Sequence, residues 1–155
     1  MEEQFMREAI RLSRDKMRKN QGGPFGAVVV RGNEVVGRGW NQVTSTNDPT
    51  AHAEVTAIRK ACKKLGTFHL RGCVLYTSCE PCPMCLAAAY WARVDRIYFA
   101  GTRKDAARAG FDDEFLYREI SKPRSRRSVP MEQLLRKEAV EAFDEWRTKV
   151  DKTPY

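Results

Sequence analysis

The N-terminal residues carry an apolar stripe with helical spacing. Apolar side chains recur three or four positions apart, from Phe5 through Ala9 and Ile10 to Met17. A period near 3.6 residues is typical of an amphipathic helix that packs one face against a core. The sequence GGPF at 22–25 breaks this pattern, so we expect the first helix to end before it.

β-branched residues follow in two runs on either side of a short turn. The segment AVVVRGNEVVGRGWN places valines before and after Arg31-Gly32-Asn33, which predicts a β-hairpin. Asn41 falls where the second strand ends. Two more short buried strands are expected further along, CVLYT at 73–77 and RIYFA at 96–100.

Segments with helical periodicity separate these strands. Asp48 is the expected N-cap of a second helix with Pro49 as its first residue. A third helix is expected within CEPCPMCLAAAYWARV, with Pro81 near its start. Helices that alternate with strands need crossover connections, which makes the sheet partly parallel and covers both of its faces. The pattern predicts a three-layer α/β/α domain that begins with an antiparallel hairpin.

Beyond residue 101 the periodicity is weaker. DAARAGFDDEFLYREI predicts short helical pieces, and MEQLLRKEAVEAFDEWRTKV predicts a final helix with one apolar side. A chain of 155 residues has the length of one domain. We therefore expect residues 1–155 to form a single domain, in which residues from about 122 to 155 are a C-terminal extension.

The charge balance raises the question of a polyanionic partner. Lys and Arg total 28 against 20 Asp and Glu, a formal net charge of +8. Most of this charge is spread along the chain, and only KPRSRR at 122–127 is dense. Such runs are usually solvated loops, although an RNA contact is the alternative. We expect no nucleic-acid partner on this basis.

The cysteines indicate a reducing compartment. Five is an odd number, and three of them are crowded into TSCEPCPMC, unlike the framework of a disulfide-rich secreted protein. No segment has the apolar run of a signal peptide or the length of a membrane span. We expect a cytoplasmic protein with reduced thiols, no membrane partner and a metal site.

A metal site is indicated by two thiols and an imidazole. Cys82 and Cys85 lie three residues apart at a predicted helix start, which places both sulfurs on one face. Alone, this pair could equally be a redox dithiol. His52, about thirty residues upstream, favours zinc, because one imidazole and two thiolates leave a fourth position open for water, as in catalytic sites. That water becomes a nucleophile near neutral pH.

Glu54 is the candidate proton shuttle beside that site. Residues two apart on a regular helix diverge by roughly 200°. His52 and Glu54 can therefore face one ion only at the first turn, before the helical period is established. Cys79 is the open alternative, because a fourth protein ligand would close the site and make the zinc structural. We expect Cys79 to be buried packing instead.

The residues named above carry a family resemblance. H-x-E at 52–54 and P-C-x-x-C at 81–85 form the zinc deaminase signature. The longer blocks GGPFGAVVV, NDPTAHAEVTAIRKAC, YTSCEPCPMCLAAAYWARV and AGFDDEFLYREI resemble bacterial guanine deaminases of the cytidine and deoxycytidylate deaminase superfamily. Bacterial tRNA adenosine deaminases share the metal motif and DPTAHAE. The resemblance implies a cytidine deaminase-like α/β fold with a central mixed five-stranded sheet.

The resemblance also implies roles for individual residues. His52, Cys82 and Cys85 would bind zinc, and Glu54 would carry a proton from water to the ring nitrogen and the departing ammonia. The remaining implied roles concern the base. Its contacts would be hydrogen bonds from Asn41 and the backbone of Ala53, apolar walls from Phe25 and Trp91, and recognition of the remaining edge by Asp113 and Tyr155.

The function that this resemblance implies is hydrolysis of free guanine to xanthine and ammonia. The partners would then be a purine base, water and a second copy of the chain, since members of the family exchange their C-terminal parts in a homodimer. Three alternatives stay open: an adenosine deaminase that acts on a tRNA loop, a deaminase of cytosine or another aminated heterocycle, and a zinc-stabilised binding module without turnover.

Overall fold

A computed structural model describes residues 2–155. Two compact units divide the chain, one reaching Tyr117 and the other spanning Arg118–Tyr155. The first unit holds four strands, β1 (Gly26–Arg31), β2 (Glu34–Trp40), β3 (Cys73–Cys79) and β4 (Arg96–Gly101). Its helices are α1 (Glu2–Arg18), α2 (Val43–Thr46), α3 (Ala53–Leu65), α4 (Pro83–Trp91), α5 (Arg103–Arg108) and the start of α6 (Asp113–Ser121).

The sheet is mixed and has the order β2-β1-β3-β4. β1 runs antiparallel to both of its neighbours, whereas β3 and β4 are parallel. Gly26 pairs with Trp40, and Cys79 pairs with Gly101. The end of β2, the end of β3, the end of β4 and the start of β1 therefore meet at one edge of the sheet.

Side chains of β1 alternate between two apolar layers. Ala27 and Val29 face a core that α3 and α4 complete, and Val28 and Val30 face a second cluster with Phe5 of α1. This alternation follows from the two-residue period of a strand. The three-layer α/β/α prediction is confirmed, and so are the hairpin and the strands near 73–77 and 96–100.

Two details of the prediction are wrong. The sheet within residues 2–155 has four strands and not five, because the chain after β4 turns directly into α5. Thr102 and Asp105 form a capping box that starts this helix. The second predicted helix begins at Ala53 and not at Pro49, since the Asp48 carboxylate accepts hydrogen bonds from the amide and hydroxyl of Thr50 and so closes a local turn.

The second unit contains the end of α6, a short 3-10 helix at Arg124–Arg126 and α7 (Arg136–Thr148). The basic run at 122–127 lies around the 3-10 helix and is largely exposed. Arg127 donates to the carbonyl oxygens of Ile120 and Lys122, which holds this turn together. Within residues 2–155 no helix combines the length and the apolarity needed to cross a membrane.

Gly39 lies where α3 approaches β2. A Cβ at this position would lie 2.0 Å from the carbonyl oxygen of Ala53 and 2.5 Å from the amide nitrogen of Ala57. We expect Gly39→Ala to push α3 off the strand and to lower the free energy of unfolding by about 1–3 kcal/mol or more, measured by chemical denaturation. Gly101→Ala is the matched control, since its Cβ would meet only the Ser78 carbonyl oxygen at 3.5 Å. Equal stability of the two variants would contradict the expectation.

Candidate active site

Two helix N-termini meet at the edge of the sheet where β2 and β3 end. His52 is the N-cap of α3 and Cys82 is the N-cap of α4, both with extended backbones at φ −70° and −66°. Because a cap residue stands outside the helical period, the His52 side chain can share a site with Glu54 in the first turn. Cys85 lies in the first turn of α4. The partial positive charge of both helix ends favours thiolates and other anions here.

The donor atoms of His52, Cys82 and Cys85 converge on one point. All three lie within 4.8 Å of one another. His52 Nδ1 is 3.5 Å from the sulfur of Cys82 and 3.5 Å from that of Cys85. Zinc–sulfur and zinc–nitrogen bonds of about 2.3 and 2.0–2.1 Å at a tetrahedral angle require a separation of about 3.5 Å between S and N. The three residues therefore fit one tetrahedral zinc ion.

The pKa values of the Cys82 and Cys85 thiols are shifted in opposite directions. The hydrogen bond from Cys85 lowers the pKa of Cys82, and the same bond raises the pKa of Cys85. The hydrogen bond to Cys82 raises the pKa of His52 against the opposing effect of burial. A cluster of this kind favours thiolate on Cys82, and a metal ion that binds it displaces the remaining protons.

Glu54 is buried directly beside this cluster. Its side chain is 6% exposed, and its Oε1 accepts a hydrogen bond from the Thr77 hydroxyl at 3.1 Å. Burial is the main cause that raises the pKa of Glu54. A carboxylate whose pKa is raised above its ordinary value is a stronger base, which suits it to general acid/base catalysis.

A cleft opens from the cluster between aromatic and polar side chains. The rings of Phe25 and Phe111 meet edge to face with centroids 4.8 Å apart. Asn41 is buried, and its Oδ1 accepts from the amides of Gly23 and Val43 at 3.3 and 3.2 Å. These bonds fix the carboxamide and leave its NH₂ group to donate. The residues that line the cleft are Phe25, Asn41, His52, Glu54, Glu80, Cys82, Phe111 and Asp113.

The zinc-binding region of cytidine and deoxycytidylate deaminases matches residues 1–101 of this chain. That stretch contains His52, Glu54, Cys82 and Cys85, the four residues at the centre of the site. The chain belongs to the cytidine and deoxycytidylate deaminase family. It is a hydrolytic deaminase whose cofactor is zinc.

This chain is similar to individual members of the deaminase family over most or nearly all of its length. The chain is 51% identical to guanine deaminase of Bacillus subtilis over 99% of its own length and 98% of that protein. The X-ray structure of the Bacillus subtilis guanine deaminase superposes with a TM-score of 0.96 and covers 99% of this chain and 98% of that one. A tRNA-specific adenosine deaminase of Aquifex aeolicus is 38% identical over 66% of this chain and 67% of its own.

Asp112 and Asp113, adjacent acids of this deaminase, have separate surroundings. The Asp112 carboxylate accepts from the amide of Phe115 at 3.0 Å and so caps the start of α6. Asp113 lines the cleft instead. Burial is the main cause that raises its pKa, and the neighbouring Cys82 contributes.

The structure does not bring every candidate residue of the deaminase to this cleft. Trp91 is the last residue of α4, is 67% exposed and does not line the cleft. Tyr155 belongs to the second unit. Cys79 is buried, with its sulfur 3.7 Å from the carbonyl oxygen of Thr102, and it is absent from the convergent cluster among the described residues.

Three residues at the site were not predicted from the sequence: Thr77, Glu80 and Phe111. Thr77 ends a run of strand residues, and no sequence signal distinguishes it from ordinary sheet packing. Glu80 and Phe111 stand inside the CEPC and AGFDD blocks that carry the deaminase resemblance. Their position within those blocks was the available signal.

Proposed function

We propose that this deaminase hydrolyses free guanine to xanthine and ammonia. The similarity to a guanine deaminase along the whole chain, at 51% identity, carries the proposal. The cleft supports it, because two aromatic rings and several carboxylates suit a flat base whose edge is rich in N–H donors. Guanine presents such donors at its ring nitrogens and its amino group.

His52, Cys82 and Cys85 would hold zinc in this proposal. The 3.5 Å distances between the imidazole nitrogen and the two sulfurs support the assignment. When bound, zinc supplies the Lewis acidity that makes a water molecule nucleophilic at neutral pH. The dipoles of α3 and α4 would stabilise the anionic ligands of the site.

Glu54 would move the protons of the reaction. Its carboxylate accepts a proton from the attacking water and delivers it to the ring nitrogen beside the amino-bearing carbon. A second proton passes by the same route to the amino group, the carbon–nitrogen bond breaks, and ammonia leaves while the carbon keeps the oxygen. The Thr77 hydroxyl would hold the carboxylate in place during both transfers.

The base would be recognised by Asn41, Phe25, Asp113 and the backbone of Ala53. Asn41 has its oxygen committed to two backbone amides, so its NH₂ group is the part that can donate to a carbonyl or ring nitrogen of the base. Phe25 offers a flat apolar wall. The Asp113 carboxylate would accept from an N–H donor of the base.

In a homodimer, the two remaining candidate residues, Trp91 and Tyr155, would come to a cleft. The C-terminal extension of about residues 122–155 would be packed on or exchanged with a second copy of the chain. Helix α7 buries none of its residues, and Phe143 is 72% exposed, which leaves an apolar side to cover. Tyr155 would then reach the base in the partner's cleft, and Trp91, which is 67% exposed, would supply an apolar wall for the base there. The five free cysteines support a reducing, cytoplasmic location.

Ammonia release by the zinc-loaded protein tests the substrate directly. The panel is guanine, cytosine, adenine, guanosine and a tRNA anticodon stem-loop, and we expect turnover of guanine alone. Guanosine is the closest control, because it differs from guanine only by its ribose. No turnover of guanine by a folded, zinc-loaded protein would contradict the proposal.

The second candidate is an adenosine deaminase that acts on tRNA. The 38% identity to a tRNA-specific adenosine deaminase and the exposed basic run at 122–127 favour it. It predicts turnover of the stem-loop only, and RNA binding that weakens steeply with salt as counterions compete for the phosphates.

A further inference from the structure

A set of contacts ties the chain just before Cys82 to the segment after β4. The Tyr117 hydroxyl donates to the carbonyl oxygen of Pro81 at 2.8 Å. The amide of Arg103 donates to Oε2 of Glu80 at 2.9 Å. The Arg103 guanidinium lies over the Tyr117 ring, 4.8 Å from its centroid. We call these four residues, Glu80, Pro81, Arg103 and Tyr117, the Tyr117 clamp.

The Tyr117 clamp connects the metal cluster to the part of the cleft that would contact the base. Pro81 immediately precedes Cys82, a residue of the metal cluster. Tyr117 lies four residues after Asp113 in α6, so the two side chains share one face of that helix. Glu80 belongs to the clamp and also lines the cleft. The hydrogen bond from Tyr117 to Pro81 thus joins the segment that leads into Cys82 to the helix that carries Asp113.

Little else in the described residues fixes the start of α6. The helix buries none of its residues, so apolar packing contributes little to its placement. Phe111 holds the preceding turn through its edge-to-face contact with Phe25 and through its amide, which donates to the Ala106 carbonyl at 3.0 Å. Where packing is weak, one well-made hydrogen bond has a large share in setting the position of a segment.

We propose that Tyr117 is a positioning residue, which sets Asp113 over the cleft by tying α6 to the Pro81 carbonyl. The inference rests on the proposed function in one respect, the contact of Asp113 with the base. Tyr117 itself touches no reacting atom. Tyr117 would affect the reaction only indirectly, by fixing the position of Asp113.

Tyr117→Phe tests the clamp, because it removes the hydroxyl and keeps the ring. A contact with the edge of the base is made in the ground state and in the transition state alike, so its loss raises KM and leaves kcat nearly unchanged. We expect KM for guanine to rise about three- to tenfold, the effect of losing one hydrogen bond. Zinc content should not change.

Two controls separate positioning from general damage. Tyr98→Phe removes a hydroxyl that donates to Glu2 at 2.7 Å, far from the cleft in the sheet, and should leave KM and kcat as they are. Tyr117→Phe in an Asp113→Ala background should add no further rise in KM, since the residue through which it acts is gone. A full additional rise there would overturn the inference.

Hydrogen exchange gives a readout that does not depend on turnover. Amides within residues 111–117 should exchange several-fold faster in Tyr117→Phe than in the wild type, while those of α3 stay unchanged. Faster exchange in a protein that does not turn over guanine would support the clamp and contradict the proposed substrate. Unchanged exchange together with unchanged KM would overturn the clamp, as would loss of zinc.

Discussion

Glu54→Ala is expected to lower kcat for guanine by about 10²–10⁴-fold, the usual contribution of a positioned general acid/base. The carboxylate is buried against the metal cluster and held by Thr77, and within residues 2–155 no other carboxyl side chain is buried. Glu54→Gln should lose as much activity, because an amide of the same size cannot carry a proton. Ammonia release and zinc content, measured on the same preparation, check the expectation.

Zinc retention is the control for these two variants. His52, Cys82 and Cys85 are unchanged in both, so about one zinc per chain should remain. Activity within tenfold of the wild type in Glu54→Gln would contradict the assignment of Glu54 as proton carrier. Loss of zinc would instead mean that Glu54 supports the metal.

Cys82→Ala is expected to abolish zinc binding and turnover together. Removal of one of three protein ligands leaves an imidazole and one thiolate, too few for a stable tetrahedral site. Zinc content should fall from about one per chain to near zero, and the melting temperature should fall with it, because metal binding stabilises the folded state. Metal analysis and thermal unfolding are the measurements.

Cys79→Ala is the matched control for that loss. Cys79 is buried three residues before Cys82, but its sulfur faces the Thr102 carbonyl and not the metal cluster. Burial raises the pKa of Cys79 to about 11, which keeps it a neutral thiol. Cys79→Ala should keep its zinc and its activity, and release of zinc by this variant would indicate a closed four-ligand site.

The metal cluster was largely predictable from sequence because each of its ligands lies at or near a helix start, which is a local signal. Cys82 and Cys85 are three residues apart at the start of α4, and His52 lies at the start of α3. What periodicity could not supply was the extended backbone of His52. Asp48 and Pro49 carry the usual signals of a helix start, yet the Asp48 carboxylate bonds to Thr50, and the helix begins four residues later than they indicate.

The wall of the cleft was harder to predict because its members come from distant segments. Thr77 meets Glu54 across 23 residues, and Arg103 meets Glu80 across 23. The contact between Arg103 and Glu80 depends on the register of β3 against β4, which aligns Cys79 with Gly101 and which no local pattern specifies. Trp91, an aromatic residue near the metal motif in sequence, lies on the exposed end of α4, so its predicted contact with the base stays a prediction that would require a second subunit.

The parallel pairing of β3 with β4 has a consequence for how this enzyme can change over generations. It brings the segment after Gly101 beside the metal cluster, although that segment lies outside the family-matched residues 1–101. Under the proposed roles, proton transfer is encoded before residue 101, whereas two of the residues that would contact the base, Asp113 and Tyr155, are encoded after it. Mutations in that later stretch of the gene can therefore explore new heterocycles while the hydrolytic machinery is inherited intact.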